Sequence, residues 1–151
     1  MNYTIGQLAE KMNISAYTLR YYDNEGLLPF VKRNANGVRM FDESDLEFLH
    51  VIHCLKKTGM SIKDIRTFIG WTMEGDASIQ RRYDMFQERK KEVDRQIAEL
   101  EVYRECIEFK CRYYQTALEA GTEEVHWSKD NQAPDIALSK IVNLESKEGS
   151  R

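Results

Sequence analysis

A chain of 151 residues is long enough for one domain, or for a small domain with an extension. With 42% hydrophobic and 31% charged residues and a net charge of −3, it is not a basic polymer that would hold nucleic acid by charge alone. Three cysteines without a Cys-x-x-Cys pair argue against a disulfide framework and for a reducing cytoplasm; no secretion-signal pattern or membrane-length apolar run is present.

Charge is distributed unevenly. Residues 1–70 hold nine Lys/Arg and eight Asp/Glu, and residues 71–151 hold thirteen and seventeen, so any basic surface has to be local. Only two prolines occur, which favours helix. Thr4 can cap a first helix running to about Met12, with Ile5, Leu8, Ala9 and Met12 as its apolar stripe. Asn13-Ile14 makes a tight turn, and Ser15 caps a second helix ending at Gly26. Two short helices joined so briefly form a helix-turn-helix. In the second, Leu19 and Tyr22 fall on the inner face. Tyr17, Thr18, Arg20 and Tyr21 largely fall on the other, which is hydroxylated, cationic and free of carboxylates before Asp23. Such a face suits the DNA major groove.

Phe30–Arg33 and Val38–Phe41 flank Asn34-Ala35-Asn36-Gly37, where Asn36-Gly37 is a hairpin-turn signal because both residues tolerate positive φ. This wing carries Lys32, Arg33 and Arg39 without an acid, as phosphate contact would require. Asp42 caps a third helix with Leu46, Leu49, Ile52 and Leu55 as core positions, ending at Thr58-Gly59. Ser61 caps a fourth, with Ile62, Ile65, Phe68 and Ile69 apolar, and Trp71–Gly75 is the expected joint. Lys56, Lys57 and Lys63 cluster at the turn between these helices, within reach of a DNA backbone.

From Asp76 to near Glu119 the chain reads in heptads. One row is Ile79, Phe86, Val93, Leu100, Ile107 and Tyr114; the other is Tyr83, Lys90, Ile97, Arg104, Cys111 and Leu118. Such a helix is roughly 60 Å long, too long for residues 1–75 to cover, so a second chain is expected along it. Residues 120–151 are polar; Ile136, Leu138, Ile141, Val142 and Leu144 could form a short amphipathic helix, and disorder is expected beyond about residue 145. The expected fold is mainly α: a winged helix-turn-helix head (1–75), a coiled-coil dimerisation helix (76–119) and a partly disordered polar extension (120–151).

Three segments carry a resemblance: Leu19-Arg20-Tyr21-Tyr22-Asp23-Asn24-Glu25-Gly26-Leu27-Leu28, Gly37-Val38-Arg39-Met40-Phe41, and Gly59-Met60-Ser61-Ile62-Lys63-Asp64-Ile65. Over roughly residues 3–72 the chain resembles the MerR family of transcription regulators. The resemblance implies an antiparallel homodimer with two winged heads on double-stranded promoter DNA. Such a dimer kinks and untwists an over-long promoter, acting on RNA polymerase only through the DNA. Arg20, Tyr21 and Tyr22 match the family's recognition-helix motif and Arg39 its wing arginine. Val38 and Phe41 stand where tyrosines are usual. The candidate DNA contacts are therefore Thr4, Ser15, Tyr17, Thr18, Arg20, Tyr21, Tyr22, Lys32, Arg33, Asn36, Arg39, Lys56 and Lys57.

The effector is a separate question. The start of the long helix and the region after Cys111 lack the cysteines of the family's metal sensors. Cys106 and Cys111, five residues apart, lie about 140° apart around a helix. No metal or cofactor is expected. Cys54, in His53-Cys54-Leu55-Lys56-Lys57-Thr58-Gly59, resembles the single cysteine of the thiol- and aldehyde-responsive NmlR/AdhR-like branch. His50 and Lys57 share its helical face and favour thiolate, while the nearby helix C-terminus opposes it. On residue type alone, Cys54 reads equally well as a small packed cysteine. Cys106 or Cys111 of a second chain could approach it as a resolving thiol. Two alternatives stay open: a non-covalent ligand pocket using Trp71, Tyr103, Tyr113 or Trp127, and a coiled-coil module whose head binds protein. No nucleophile–base set or phosphate loop supports an enzyme.

Overall fold

The structure, a computed structural model, describes residues 2–126. In chain order it contains α1 (Ile5–Met12), α2 (Ala16–Asn24), β1 (Lys32–Arg33), β2 (Arg39–Met40), α3 (Glu43–Lys57), α4 (Ile62–Glu74), a 3-10 turn (Gly75–Ser78), α5 (Ile79–Ala120) and a second 3-10 turn (Glu123–His126). It is mainly α with a two-stranded wing, as expected. The chain divides into two compact units, Met1–Lys90 and Lys91–Arg151.

In the first unit α1 to α4 each start where a side chain replaces the missing intrahelical acceptor. Thr4 accepts from the amide of Gln7, Ser15 from Thr18, Asp42 from Asp45 and Ser61 from Asp64. The turn between α1 and α2 is tight because Asn13 takes the left-handed conformation (φ 52°), which its short polar side chain tolerates. Leu8, Leu19, Tyr22, Leu27, Leu28, Phe41, Leu46, Leu49, Ile52, Leu55, Met60, Ile65, Phe68 and Ile69 pack into one core. Each large apolar side chain so enclosed contributes roughly 1.5–3 kcal/mol.

One detail refines the sequence reading and one departs from it. The hairpin turns at the Asn36-Gly37 signal, although only one of those two residues takes the positive φ that both tolerate. Lys32 pairs with Met40 and Arg33 with Arg39, and the Asn34 amide then donates to the Val38 carbonyl (2.9 Å), leaving a three-residue loop. Only Gly37 in that loop has positive φ (76°). The Asn34 side chain explains the loop: its Oδ1 accepts from the amides of Asn36 and Val38, both at 3.0 Å, and closes the turn from within. The wing also gains a flank, because Tyr3 and Phe41 exchange backbone hydrogen bonds of 2.7 and 2.9 Å. The departure is α4, which runs through Trp71 to Glu74. Nothing before Gly75 breaks it, so the joint is the 3-10 turn Gly75–Ser78.

In the second unit, α5 continues to Ala120 and closes with the Gly121 amide on Leu118 (3.2 Å) and the Thr122 amide on Ala117 (3.0 Å). The chain then folds back. The His126 ring stacks on Tyr113 with centroids 3.8 Å apart, and its Nε2 donates to the Tyr113 carbonyl (2.8 Å). Leu100 is 66% and Ile107 63% exposed in the single chain. Arg104, which interrupts the second heptad row, pairs with Glu101 (2.9 Å) and Glu108 (3.7 Å) along its own helix. The expected helix around 136–144, the disorder expected beyond 145 and Trp127 lie outside the described residues.

Candidate nucleic-acid interface

The outer face of α2 carries groups able to read or hold DNA. Tyr17 is 78% exposed, and Arg20, one turn further on, is also exposed. Thr18 and Tyr21 are half-buried beside them. Ser15 and Thr4 sit at the openings of α2 and α1. Their hydroxyls already accept from the Thr18 amide (3.0 Å) and the Gln7 amide (3.4 Å). Ser15 also shares a hydrogen bond with the Thr18 hydroxyl (2.8 Å). Any phosphate contact from these two uses a remaining lone pair or proton.

The far end of α2 is tied down by three other elements. The Tyr22 hydroxyl bonds His53 Nδ1 on α3 at 2.8 Å. Asp23 is ion-paired to Arg39 of β2. Arg66 of α4 donates from Nε to the Glu25 carbonyl (2.6 Å) and from Nη2 to the Glu25 carboxylate (3.1 Å). Three nearly consecutive residues are thus gripped from α3, the wing and α4, which fixes the angle at which Tyr17 and Arg20 leave the surface.

This corrects the expectation for Tyr22. At 2% exposure, with its hydroxyl on His53, it is a core residue of the head and not a DNA contact. Its inward helical position overrides its place in the motif. Arg39 is half-buried against Asp23, so the wing arginine has an acidic partner that the wing sequence does not contain. Lys32 and Asn36 are exposed. Arg33 is exposed too, and its Nη1 donates to the Gly37 carbonyl (2.7 Å), bracing the loop. Lys57 is exposed and Lys56 half-buried at the end of α3. Sequence reasoning missed Arg66 and gave His53 no role. No local spacing signals either, since their partners lie 41 and 31 positions away.

Burial pushes the His53 pKa below the ordinary imidazole value, and the nearby charges of Lys57 and His50 push it the same way. Burial raises that of Tyr22, with Tyr21 adding to it. The phenol therefore stays protonated and donates to a neutral imidazole. Because the unfolded chain binds the His53 proton more readily, stability is highest above the ordinary imidazole value. It is lost as pH falls through about 6.5 towards the lower folded value. Thermal melts between pH 8 and 5.5 are expected to fall more steeply below that point for the wild type than for His53→Gln, which keeps an acceptor for Tyr22.

Cys54 is exposed in α3, four residues after His50 and three before Lys57, both also exposed. It is not the packed core cysteine that its residue type allowed. Cys106 is half-buried and Cys111 exposed, both on α5 in the second unit. Of the aromatics considered for a pocket, Trp71 lines an open groove of about 480 Å³ in the first unit, with Met60, Met85, Arg81, Asp84 and Arg89 among its walls. Tyr103 lies on α5, and Tyr113 is stacked by His126.

A family model for MerR HTH regulatory proteins matches residues 3–70, and one for MerR DNA binding matches residues 46–108. An uncharacterized HTH-type transcriptional regulator of Haemophilus influenzae is 48% identical over 122 residues, spanning 81% of this chain and 90% of its own. The chain belongs to the MerR family. It is a DNA-binding transcriptional regulator and not an enzyme. Its structure is similar to that of HiNmlR, described as a MerR family regulator lacking the sensor domain, bound to promoter DNA. The TM-score is 0.77 and the identity 47%, covering 83% of this chain and 95% of that one. A shorter likeness is to the HTH-type transcriptional regulator AdhR of Bacillus subtilis, 33% identical over 87 residues, 58% of this chain and 62% of AdhR. Within the family, the likeness to HiNmlR supports the NmlR-like branch. Among the described residues, no helix is long and apolar enough to cross a membrane.

Proposed function

We propose that this MerR-family regulator acts in the cytoplasm as a homodimer on promoter DNA, deforms that DNA to control transcription, and responds to aldehydes, other electrophiles or oxidants through Cys54. The DNA part is supported by 47% identity to a regulator described as bound to promoter DNA, together with the exposed Tyr17 and Arg20 on α2. The dimer is supported by the exposed apolar row on α5. RNA polymerase is reached only through the deformed DNA. Phosphate contacts fall to Lys32, Arg33, Asn36, Lys56 and Lys57, with Thr4, Ser15 and Thr18 at the helix openings.

One observation carries the sensing part: the Cys54 thiol is exposed, with His50 and Lys57 on the same face of α3. The thiolate adds to a carbonyl carbon, the C=O π pair moves to oxygen, and that oxygen takes a proton to give a hemithioacetal. With a hydroperoxide, the thiolate attacks the terminal oxygen, the O–O bond breaks with its electron pair leaving on the other oxygen as alkoxide or hydroxide, and a sulfenic acid forms. A second thiolate, from Cys106 or Cys111 of another copy, then displaces hydroxide and closes a disulfide. The groove beside Trp71 favours a second reading, a ligand bound there without a covalent bond.

Transcription in vitro from the protein's own upstream promoter separates the two. Wild type and Cys54→Ser would be compared with formaldehyde, methylglyoxal or diamide, each with and without a thiol reductant. Activation by at least one agent, abolished in Cys54→Ser, is the expected result. A response that persists in the variant moves sensing to Cys106, Cys111 or the groove.

A further inference from the structure

The first three turns of α5 pack with the head, in the same compact unit. One face of them does this, through positions 82, 85, 86 and 89, and Ser78 of the preceding 3-10 turn continues it. Ser78 is fully buried, and its hydroxyl serves the carbonyls of Trp71 and Gly75, the latter at 2.9 Å. Arg82, one turn on, donates from Nη2 to the same Gly75 carbonyl at 3.0 Å. Met85 packs against the head's core, and Phe86 sets its edge on Phe68 with centroids 5.3 Å apart. Arg89 reaches across to the Thr58 carbonyl at the end of α3 (3.2 Å).

Gly75 needs this support. It ends α4 at φ 76° and ψ −146°, a backbone conformation that side-chain-bearing residues rarely adopt, and a glycine corner is otherwise the softest point in a helix–helix joint. Ser78 and Arg82 both bond its carbonyl, while Arg89 fixes the helix two turns further along. Charge-assisted bonds to carbonyls at helix ends are strong and directional, and the Arg89 bond meets the negative end of the α3 dipole.

We propose that Ser78, Arg82 and Arg89 form a polar elbow that locks the angle between the head and the start of the dimerisation helix, and so select the half-site spacing and twist of the DNA that the dimer stabilises. In a dimer each elbow acts once, so a small angular freedom at each moves the two heads relative to one another. Head–DNA contacts at a single half-site do not depend on it. The three residues are positioning residues: none belongs to the face of α2 or to the wing. The inference rests on the dimeric DNA-binding reading.

The test is a fluorescence-anisotropy titration on operator DNA with the natural half-site spacing and with one base pair added or removed. The wild type is expected to prefer one spacing by about tenfold or more, within the usual range of coupling between sites. Ser78→Ala, Arg82→Gln and Arg89→Gln are each expected to reduce that preference to about threefold or less, with dimer mass and melting temperature close to wild type. Arg89→Lys, which keeps a charge and the one donor needed, is expected to retain most of it. An unchanged preference in the folded variants, or equal loss of affinity at every spacing, overturns the elbow and leaves the DNA-binding reading intact. A wild type that binds none of the DNAs overturns both.

Discussion

Ile107→Asp is expected to convert the protein into a monomer that no longer holds its promoter. Ile107 and Leu100 project from α5 at 63% and 66% exposure, in the heptad row that also contains Val93 and Tyr114. A second copy is the natural cover for such a row. Burying one isoleucine contributes roughly 1.5–3 kcal/mol, and a two-fold dimer counts it twice. An aspartate there removes both contributions and places two carboxylates in an apolar seam. Once the heads separate, the second half-site no longer binds intramolecularly, and apparent affinity falls by about 10²–10⁴. Sedimentation equilibrium and operator titration would check this. A variant that stays dimeric would put the contact elsewhere on the chain.

Phe41→Ala is expected to cost about 3–5 kcal/mol of stability, the range for emptying a buried aromatic site. Phe41 is fully buried, and its backbone pairs with Tyr3 directly after the wing strand. A domain holds only about 5–15 kcal/mol in total, so much of the margin disappears. The melting temperature should drop by more than about 10 °C. Phe41→Leu fills most of the space and should cost about 1–2 kcal/mol. A near-neutral Phe41→Ala would mean that the wing and α3 do not share one core. A hydroxyl at that depth would need a partner of its own.

What was legible in the sequence was local. Thr4, Ser15, Asp42 and Ser61 each precede an apolar repeat, and each caps the helix it announces, because capping depends on residues three apart. The core rows of α3 and α4 follow from their periods in the same way. The turn between β1 and β2 was legible in Asn36-Gly37, but its closure by the Asn34 side chain was not. The joint was placed from Trp71 on, yet α4 runs to Glu74 and ends at Gly75. Tyr22 could be read both ways, by motif as a DNA contact and by period as core, and burial decided for core.

The long-range polar pairs were not legible at all. Arg39 with Asp23, Arg66 with Glu25, His53 with Tyr22 and Arg89 with Thr58 join positions 16 to 41 residues apart. Nothing in their local context distinguishes them from surface charges. They orient α2 and the start of α5, so this layer of the site became readable only with the fold. Exposure of Cys54 belongs to the same class, since a helical period assigns a face but not what covers it.

The most direct test of the central claim is fluorescence anisotropy of labelled upstream promoter DNA, titrated with wild type and Arg20→Ala at increasing KCl. The account predicts that log affinity falls linearly with log salt as phosphate contacts release counterions. It also predicts that Arg20→Ala loses about 1–3 kcal/mol at fixed salt, as loss of a base-reading arginine should. Binding that ignores salt, or an Arg20→Ala variant that binds as well as the wild type, would contradict it.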